Sequence, residues 1–468
     1  MKFPYLLTFL LLFAQNIPSS DCSGCSLNES IGLCSCSLLD LENIFSILPC
    51  IEATSFEFSG GSYLNTENVN LESVQLDLFL NQLRLPFIKV SLINAVVSEE
   101  LLFTFIYWIR KIPINLLALE NTTCVGYFNG TSMNVQPPYI SSLEFINVSS
   151  HPLMPGDNAF NGFGNWRSTM GKITVMKSNL KDIPCSISTK FGSLFNLDLS
   201  ENLLQDANLS SSFCRGAFPL LRILKLRQNN LVNYETVCQT LGKYDQLMQL
   251  DLSQNKFSRL SDFLCKWPPS LINLNLSDTG LEDVKGGLPE NCEVLDLSHN
   301  RIEFLNISLG RLKKLYLSYN RIATFSSLGS FPMLQVLAID GNRISTLQKD
   351  ELQLFKNLKT LKGDNNPYIC TCSFVSEMKE SSQNDWTFQQ WPEGYACSSP
   401  DSFRDMLVEN VSRSFFDCHT ELLIILICII ILLLTVAIII CFIKIHRSNK
   451  TRSQSSVSGN SNSVQFQQ

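Results

Sequence analysis

The chain of 468 residues is poor in the side chains that most enzymes use. It has only four histidines, and one of them, His299, follows a serine but has no second acid or nucleophile at a telling spacing. It also lacks the G-x-S-x-G and H-E-x-x-H patterns and a glycine-rich phosphate loop. Charged residues make up only 17% of the chain, and the net charge of −6 gives no reason to expect nucleic-acid binding. These absences predict a non-catalytic protein that uses no cofactor and no metal.

Two apolar runs predict how the chain is directed to a membrane and anchored in it. Residues 1–20 read as a cleaved secretory signal peptide, since a lysine precedes a short apolar run that ends in small residues. Residues 422–443 carry no charge and are long enough to cross a bilayer core of about 30 Å as a helix. Basic residues follow this run and acidic ones precede it, so residues 444–468 are predicted to form a short cytoplasmic tail. The sequence therefore predicts a single-pass type I protein of the cell membrane with an extracellular ectodomain.

The cysteines and the glycosylation sequons agree with that location. Seventeen cysteines indicate an oxidising compartment, and fifteen of them lie outside the apolar run, so at least one has no partner within the chain. Eight N-x-S/T sequons before the span predict glycans at Asn28, Asn121, Asn129, Asn147, Asn208, Asn275, Asn306 and Asn410. A ninth, at Asn449, would face the cytoplasm and stay unmodified.

A repeated pattern decides the fold. The stretches at 194–204, 221–231, 312–322 and 334–344 match L-x-x-L-x-L-x-x-N-x-L at every fixed position, with Ile accepted for Leu. Those at 247–257, 271–281 and 292–302 depart at one position, and 358–367 is a degenerate last unit. Weaker units at 85–95, 114–124, 140–148 and 170–180 keep the apolar positions without the asparagine. About twelve units predict an α/β leucine-rich-repeat solenoid over residues 85–366, with a parallel sheet on its concave face.

The recurring asparagines and the terminal cysteines are predicted to be scaffold. Asn at the ninth position can bond the backbone of a neighbouring turn, because buried backbone groups need partners. A solenoid also exposes apolar core at both ends unless it is capped. Cysteines cluster in residues 21–84 and in residues 367–421, which are predicted to be the N-terminal and C-terminal caps. The oxidising compartment and the absence of nearby histidines disfavour zinc at these cysteines.

The region most suited to a ligand is apolar and lies near the N-terminus. "FEFSGGSYL" (56–64) and the stretch 76–111 are rich in Phe and Leu, and 98–111 reads as a helix capped by Ser98. Irregular packing of such side chains could leave an apolar cavity, which is the usual form of a ligand site. The alternative is that these side chains simply fill the core. Asn275 lies between two leucines, so its glycan would obstruct the concave face of the C-terminal half.

Several stretches resemble known proteins. The pattern C-x8-C-x-C-x13-C that begins at Cys25, followed by "FEFSGGSYL" and "FIKVSLINAVVSEELL", resembles the monocyte differentiation antigen family of lipopolysaccharide co-receptors. "SSLEFINVSS" and "GLPENCEVLDLSHNRI" are similar to it too, so the resemblance covers roughly residues 22–345. The end, "NPYICTCSF…WPEGYACSSP" before the membrane run, looks like the end of a Toll-like receptor ectodomain.

The resemblance implies both pairing and function. It implies the disulfides Cys25–Cys36, Cys34–Cys50, Cys185–Cys214 and Cys238–Cys265, and the C-terminal cap implies Cys370–Cys397 and Cys372–Cys418. It also implies a curved solenoid whose N-terminal hydrophobic pocket takes acyl chains of bacterial lipids and passes them to Toll-like receptor complexes. Phe79 lies in the stretch similar to the pocket wall, and the further candidates, chosen by chemistry and location, are Phe56, Phe58, Leu83, Phe87, Val90, Leu102 and Phe105.

These observations predict a non-catalytic pattern-recognition co-receptor that binds lipopolysaccharide or lipopeptide. Residues 21–120 hold twelve acidic and four basic side chains, so a phosphorylated headgroup would find few partners there. One alternative is a leucine-rich-repeat adhesion protein that binds a protein partner on its concave face. Another is a decoy Toll-like receptor without a signalling domain. A homodimer is compatible with each.

Overall fold

The computed structural model describes residues 24–38, 50, 52–60, 87–98, 102, 114–125, 140–151, 167–257, 260, 265–325, 328–347, 349–352, 355–384, 387–412 and 418–457. The predicted signal peptide lies outside these residues, as does much of the predicted N-terminal cap and pocket region.

The described strands are short, and most of them recur once per repeat. In chain order they are β1 (Cys25–Asn28), β2 (Leu33–Ser37), β3 (Ser55–Ser59), β4 (Phe87–Ile93), β5 (Val96–Ser98), β6 (Ile114–Glu120), β7 (Thr123–Val125), β8 (Ser142–Ile146), β9 (Ser149–His151), β10 (Lys172–Met176), β11 (Asn196–Asp198), β12 (Ile223–Lys225), β13 (Gln249–Asp251), β14 (Asn273–Asn275), β15 (Asp283–Val284), β16 (Val294–Asp296), β17 (Phe304–Leu305), β18 (Lys314–Tyr316), β19 (Val336–Ala338), β20 (Thr360–Lys362), β21 (Tyr368–Ile369), β22 (Thr387–Phe388) and β23 (Cys397–Ser399).

The described helices are also short, apart from the last two. They are α1 (Cys185–Ser188), α2 (Asp206–Ser212), α3 (Tyr234–Leu241), α4 (Lys349–Leu352), α5 (Cys372–Asn384) and α6 (Thr420–Val457). Two 3-10 turns, Asp401–Phe403 and Val408–Asn410, lie near the C-terminal cap.

One sheet of sixteen strands organises the described repeats. Its order is β1-β2-β3-β4-β6-β8-β10-β11-β12-β13-β14-β16-β18-β19-β20-β22, and every pair is parallel except the antiparallel β1 and β2. The central leucines pair in register, so that Leu224, Leu250 and Leu274 lie side by side and are all buried. Because side chains alternate along a strand, one buried row runs the length of the sheet. The predicted leucine-rich-repeat fold is confirmed.

The strand register shows that the first weak repeat begins at a different residue from the one predicted from sequence. Val90 pairs with Leu117 and Leu92 with Leu119, so the unit that was read as starting at Leu85 starts at Phe87. The same register extends to β3, where Phe56 pairs with Val90. The parallel sheet therefore includes strands that precede residue 85. The other predicted boundaries between caps and repeats stay predictions.

The asparagine of each strong repeat bonds the backbone of two repeats. Asn255 Nδ2 donates to Leu226 O and Leu252 O, both at 2.9 Å, and its Oδ1 accepts from Asn229 N at 3.1 Å. The same arrangement holds at Asn202, Asn229, Asn300, Asn320, Asn342 and Asn366. In the weaker units hydroxyl groups take this position. Thr122 Oγ1 donates to Leu92 O at 3.3 Å, and Ser178 Oγ accepts from Val148 N at 3.1 Å.

Disulfides close both ends of the sheet and join neighbouring repeats. All six predicted pairs are present: Cys25–Cys36, Cys34–Cys50, Cys185–Cys214, Cys238–Cys265, Cys370–Cys397 and Cys372–Cys418. At the C-terminal end Gly363 stands where earlier repeats have leucine. The rings of Tyr368 and Tyr395 fill that space, since Gly363 N donates to Tyr395 Oη at 2.9 Å and Tyr368 Oη donates to Gly363 O.

Helix α6 contains the predicted membrane span. Residues Glu421–Asn449 have a mean hydropathy of 3.7 over the most apolar window, and none of the residues in that window is buried, so by length and composition this segment can cross a membrane. The helix continues to Val457, and it therefore includes the first part of the predicted cytoplasmic tail.

Candidate ligand-binding region

The structure describes half of the predicted pocket side chains. Phe56, Phe58, Val90 and Leu102 are all buried, each at 2–3% exposure. Phe87 contributes backbone to β4. Phe79, Leu83 and Phe105, together with the side chain of Phe87, lie outside the described residues, and the pocket itself stays a prediction.

The buried phenylalanines belong to two inward rows at the N-terminal end of the sheet. Phe56 and Phe58 alternate with half-buried positions on β3, and their rings stack with centroids 6.3 Å apart. Phe56 lies between Cys34 and Val90, while Phe58 lies between Cys36 and Leu92. The two phenylalanines therefore separate the N-terminal disulfides from the aliphatic core of the repeats.

Of residues 98–111, which were predicted to form a helix, the structure describes only Ser98 and Leu102. Leu102 is helical and buried, while Ser98, which was expected to cap the helix, is the last residue of β5. The remaining residues of the segment lie outside the described part. Strand β5 joins β7 and β9 in a second small parallel sheet on the turn side of these repeats.

Two of the four unpaired thiols among the described residues, Cys124 and Cys292, are buried, whereas Cys428 and Cys441 are exposed on helix α6. Cys124 lies on β7, and burial raises the pKa of its thiol to about 12. Cys292 stands at a repeat's first leucine position, where burial likewise raises its pKa to about 12. Both side chains act as small hydrophobic residues. Cys25, Cys34 and Cys36 lie within 4.8 Å of one another, but each is in a disulfide and offers no thiolate to a metal.

On the concave side of the N-terminal repeats, Lys89 and Lys172 each form an ion pair with a glutamate. Lys89 Nζ lies 2.8 Å from Glu120 Oε1, and Lys172 Nζ lies 3.0 Å from Glu144 Oε1. Of the four basic residues within 21–120, Lys89 is the one that the structure describes. Its charge is already compensated by Glu120, so the described part of this surface offers little to a multiply phosphorylated group.

An asparagine ladder carries two of the predicted glycosylation sites. Asn121 Nδ2 donates to Asn94 Oδ1 at 3.1 Å, and Asn147 Nδ2 donates to Asn121 Oδ1 at 2.8 Å. All three residues are exposed and have positive φ, so the ladder follows the turns that end three successive strands. The sequence pattern did not show this ladder, although each asparagine follows its strand at the same position.

Asn275 lies on the concave side, where its sequence position placed it. It flanks the buried Leu274 on β14, and its Oδ1 accepts from Ser277 N at 2.9 Å. Asp198, Asp251 and Asp296 make the same turn with Ser200, Ser253 and Ser298 in neighbouring repeats. Asn275 thus has the local geometry of its acidic counterparts. Its glycosylation stays a prediction.

Sequence comparison relates the chain to Toll-like receptors. No protein-family model matches the chain. Toll-like receptor 2 of Macaca mulatta is 34% identical over 345 residues, which is 72% of this chain and 43% of that protein. Toll-like receptor 2 of Mus musculus is 32% identical over 370 residues, which is 77% of this chain and 47% of that protein. The chain thus spans about half the length of these curated relatives.

Comparison with solved structures supports the fold. A chain of the mouse RP105/MD-1 complex superposes with a TM-score of 0.51 at 16% identity, covering 81% of this chain and 73% of that chain. A chain of the octameric complex of Latrophilin 3, Unc5D and FLRT2 (LRR) gives a TM-score of 0.50 at 19% identity, covering 65% and 91%. The finer resemblance to the monocyte differentiation antigen stays a prediction. By repeat, register and sequence identity, this chain is a leucine-rich-repeat protein homologous to the leucine-rich-repeat region of Toll-like receptor 2.

Proposed function

We propose that this protein is a non-catalytic pattern-recognition co-receptor at the cell membrane. It captures an acylated bacterial product, lipopolysaccharide or lipopeptide, in an N-terminal hydrophobic pocket and presents it to a Toll-like receptor complex. The observation that carries the proposal is the homology to Toll-like receptor 2 over 345 residues, together with one apolar helix that is long enough to anchor the chain.

The chemistry of the N-terminal repeats supports an apolar ligand. Rows of Phe, Val and Leu line the interior beside the predicted pocket segments, and burying an acyl chain contributes about 0.8 kcal/mol per methylene. The Lys89–Glu120 ion pair favours lipids with a lightly charged headgroup over multiply phosphorylated ones, because the lysine is already neutralised. We therefore expect lipopeptide to bind more tightly than lipopolysaccharide.

Direct binding tests the capture step. The full chain is placed in nanodiscs of neutral phosphatidylcholine and titrated with a fluorescent lipopeptide and a fluorescent lipopolysaccharide. Phe79→Asp and Phe105→Asp are expected to abolish saturable binding, because each places a carboxylate in an apolar site. Phe304→Asp is the matched control, since Phe304 is 64% exposed on β17 and distant in sequence. Thermal melting confirms that each variant is folded.

The outcome of this titration separates capture from adhesion. If folded wild-type protein binds neither lipid, the proposal is wrong and a protein partner on the concave face becomes the better hypothesis. Presentation is tested separately in cells that carry a Toll-like receptor reporter. A co-receptor raises the response to a low dose of lipopeptide, whereas a decoy receptor lowers it.

A further inference from the structure

Basic charge is concentrated in one part of this acidic protein. Residues 305–362 contain nine Lys and Arg and three Asp and Glu, a net charge of +6. The whole chain has a net charge of −6, so the remainder carries −12. A local excess of this size creates a positive potential that attracts polyanions.

The parallel register brings four of these residues to one edge of the sheet. Lys314 begins β18 and Lys359 directly precedes β20, with the uncharged β19 between them. Gln335 N donates to Lys313 O at 2.8 Å, and Lys359 N donates to Gln335 O at 2.9 Å, so Lys359 is aligned with Lys313. Lys314 pairs through Val336 with Thr360 and therefore lies one position further along its strand than Lys359. Neighbouring strands lie about 4.8 Å apart, which places the two basic strands about 10 Å apart.

Two further basic residues lie in the turns that precede these strands. Arg311 stands three residues before Lys314, and Lys356 stands three residues before Lys359. All four side chains are exposed. We name Arg311, Lys314, Lys356 and Lys359 the basic edge.

The charges of the basic edge are not neutralised within the described structure. Lys313 and Lys362, its neighbours, are paired with Glu293 at 2.8 Å and with Asp340 at 2.9 Å. No ion pair joins any of the four basic-edge residues to another described residue. Their mutual repulsion is reduced when an anion binds across them, because opposite charge screens each of them.

We infer that the basic edge binds a sulfated glycosaminoglycan. The ligand must be an extended polyanion, because two basic strands flank a neutral one on an open surface that does not enclose a single phosphate. Six disulfides indicate that this fold matures in an oxidising compartment. Sulfated polysaccharides, rather than nucleic acids, are the extended polyanions on the outside of cells. The inference is independent of the proposed lipid site, which lies at the other end of the sheet.

The test measures heparan sulfate binding by the full chain in phosphatidylcholine nanodiscs across a range of NaCl concentrations. Lys314→Gln/Lys359→Gln removes two charges and is expected to weaken binding about tenfold. The slope of log Kd against log salt should also fall by about two, one for each lost contact. Lys190→Gln/Lys243→Gln is the matched control, because it removes two exposed lysines from earlier repeats.

A gain of affinity gives a second, independent readout. Glu293→Gln frees Lys313 from its ion pair beside the basic edge and is expected to tighten binding. The inference is overturned if the control pair weakens binding as much as the basic-edge pair does, or if Glu293→Gln has no effect. It is also overturned if desulfated polymer binds equally well, or if single-stranded DNA binds more tightly than heparan sulfate. Unchanged melting temperatures show that the variants remain folded.

Discussion

At the scale of single residues, one side chain per repeat holds two repeats together. Asn320 Nδ2 donates to Leu297 O at 2.9 Å and to Leu317 O at 3.1 Å, and its Oδ1 accepts from Ile302 N at 2.9 Å. Thr279 takes this position in its own repeat. Its Oγ1 donates to Leu276 O and to Asn300 Oδ1, and none of its side-chain bonds among the described residues reaches the preceding repeat.

Substitution at these two positions should have opposite effects. Asn320→Ala leaves buried backbone groups of two repeats unsatisfied and should lower the free energy of unfolding by roughly 2–4 kcal/mol. Thr279→Asn should raise it by about 1 kcal/mol, because an amide can bond both repeats. Urea denaturation followed by circular dichroism measures both changes. Equal losses in Asn320→Ala and a Thr279→Ala control would contradict this account.

Asp364 has an unusual environment for a carboxylate. It is 1% exposed, its Oδ2 accepts from Asn365 Nδ2 at 2.6 Å, and its Oδ1 has no hydrogen-bond partner among the described residues. Burial raises the pKa of this carboxyl above its ordinary 3.8, and nearby Lys362 offsets part of the rise. The charged form is therefore disfavoured in the folded state.

The pH dependence follows from the direction of that change. Because the folded pKa lies above the unfolded one, the stability from protonated Asp364 is complete below about pH 3.8 and is lost as pH rises through the folded pKa. Asp364→Asn keeps the shape without the charge, so it should stabilise the fold at pH 7 by roughly 1–3 kcal/mol and have little effect below pH 3.8. Thermal melting at both pH values measures this, with Asp245→Asn, an exposed site, as the control. A variant less stable than wild type at pH 7 would show that the carboxylate has a favourable partner.

At the scale of elements, disulfides join the helical side of neighbouring repeats. Cys185 begins α1 and Cys214 follows α2, and the bond between them closes a loop with a sequence separation of 29. A loop of this size adds about 3 kcal/mol by limiting the unfolded chain.

Removal of this bond should be costly although both repeats keep their leucines. Cys185→Ser/Cys214→Ser is expected to lower the free energy of unfolding by about 3 kcal/mol. Cys292→Ala is the control, since Cys292 is a buried thiol without a disulfide partner. The assay is denaturant unfolding without reductant. A loss no larger than the control's would mean that helix packing alone holds these repeats together.

The strands also show where sequence reasoning fails. In strong repeats the leucines and the asparagine fix the frame, and the register agrees with it. In 85–95 apolar residues fall on both alternating faces, so the sequence fits two frames, and only pairing with β6 selects the one that begins at Phe87. Ser98 ends β5, where it pairs with Val125 of β7, and its role as a helix cap stays a prediction.

At the scale of the whole molecule, orientation in the membrane is the central expectation. If the residues before α6 are extracellular, a C-terminal tag should be protected from protease in intact cells, whereas an epitope after residue 24 should be cleaved. Peptide mass spectrometry after glycosidase treatment should find glycans at Asn28 and Asn306, which are exposed, and none at Asn449. A glycan at Asn449 would reverse the topology.

The sequence predicted the candidate ligand-binding region only in part. Composition indicated an apolar N-terminal region, and the structure places Phe56, Phe58, Val90 and Leu102 inside it. Composition does not distinguish a filled core from a pocket, because both are lined by the same residue types. The neutralisation of Lys89 by Glu120 joins residues 31 apart in sequence, and only strand pairing shows it.

The sequence by itself determined the architecture. Each repeat carries leucines and an asparagine that have to be buried, and stacking against the neighbouring repeats is what buries them. The resemblance supplied the disulfide pairs, and hydropathy supplied the apolar helix. The tertiary structure decided which side chains lie together on each surface. Arg311, Lys314, Lys356 and Lys359 span 49 residues of sequence but lie on one edge, since the parallel pairing places β18, β19 and β20 side by side about 5 Å apart.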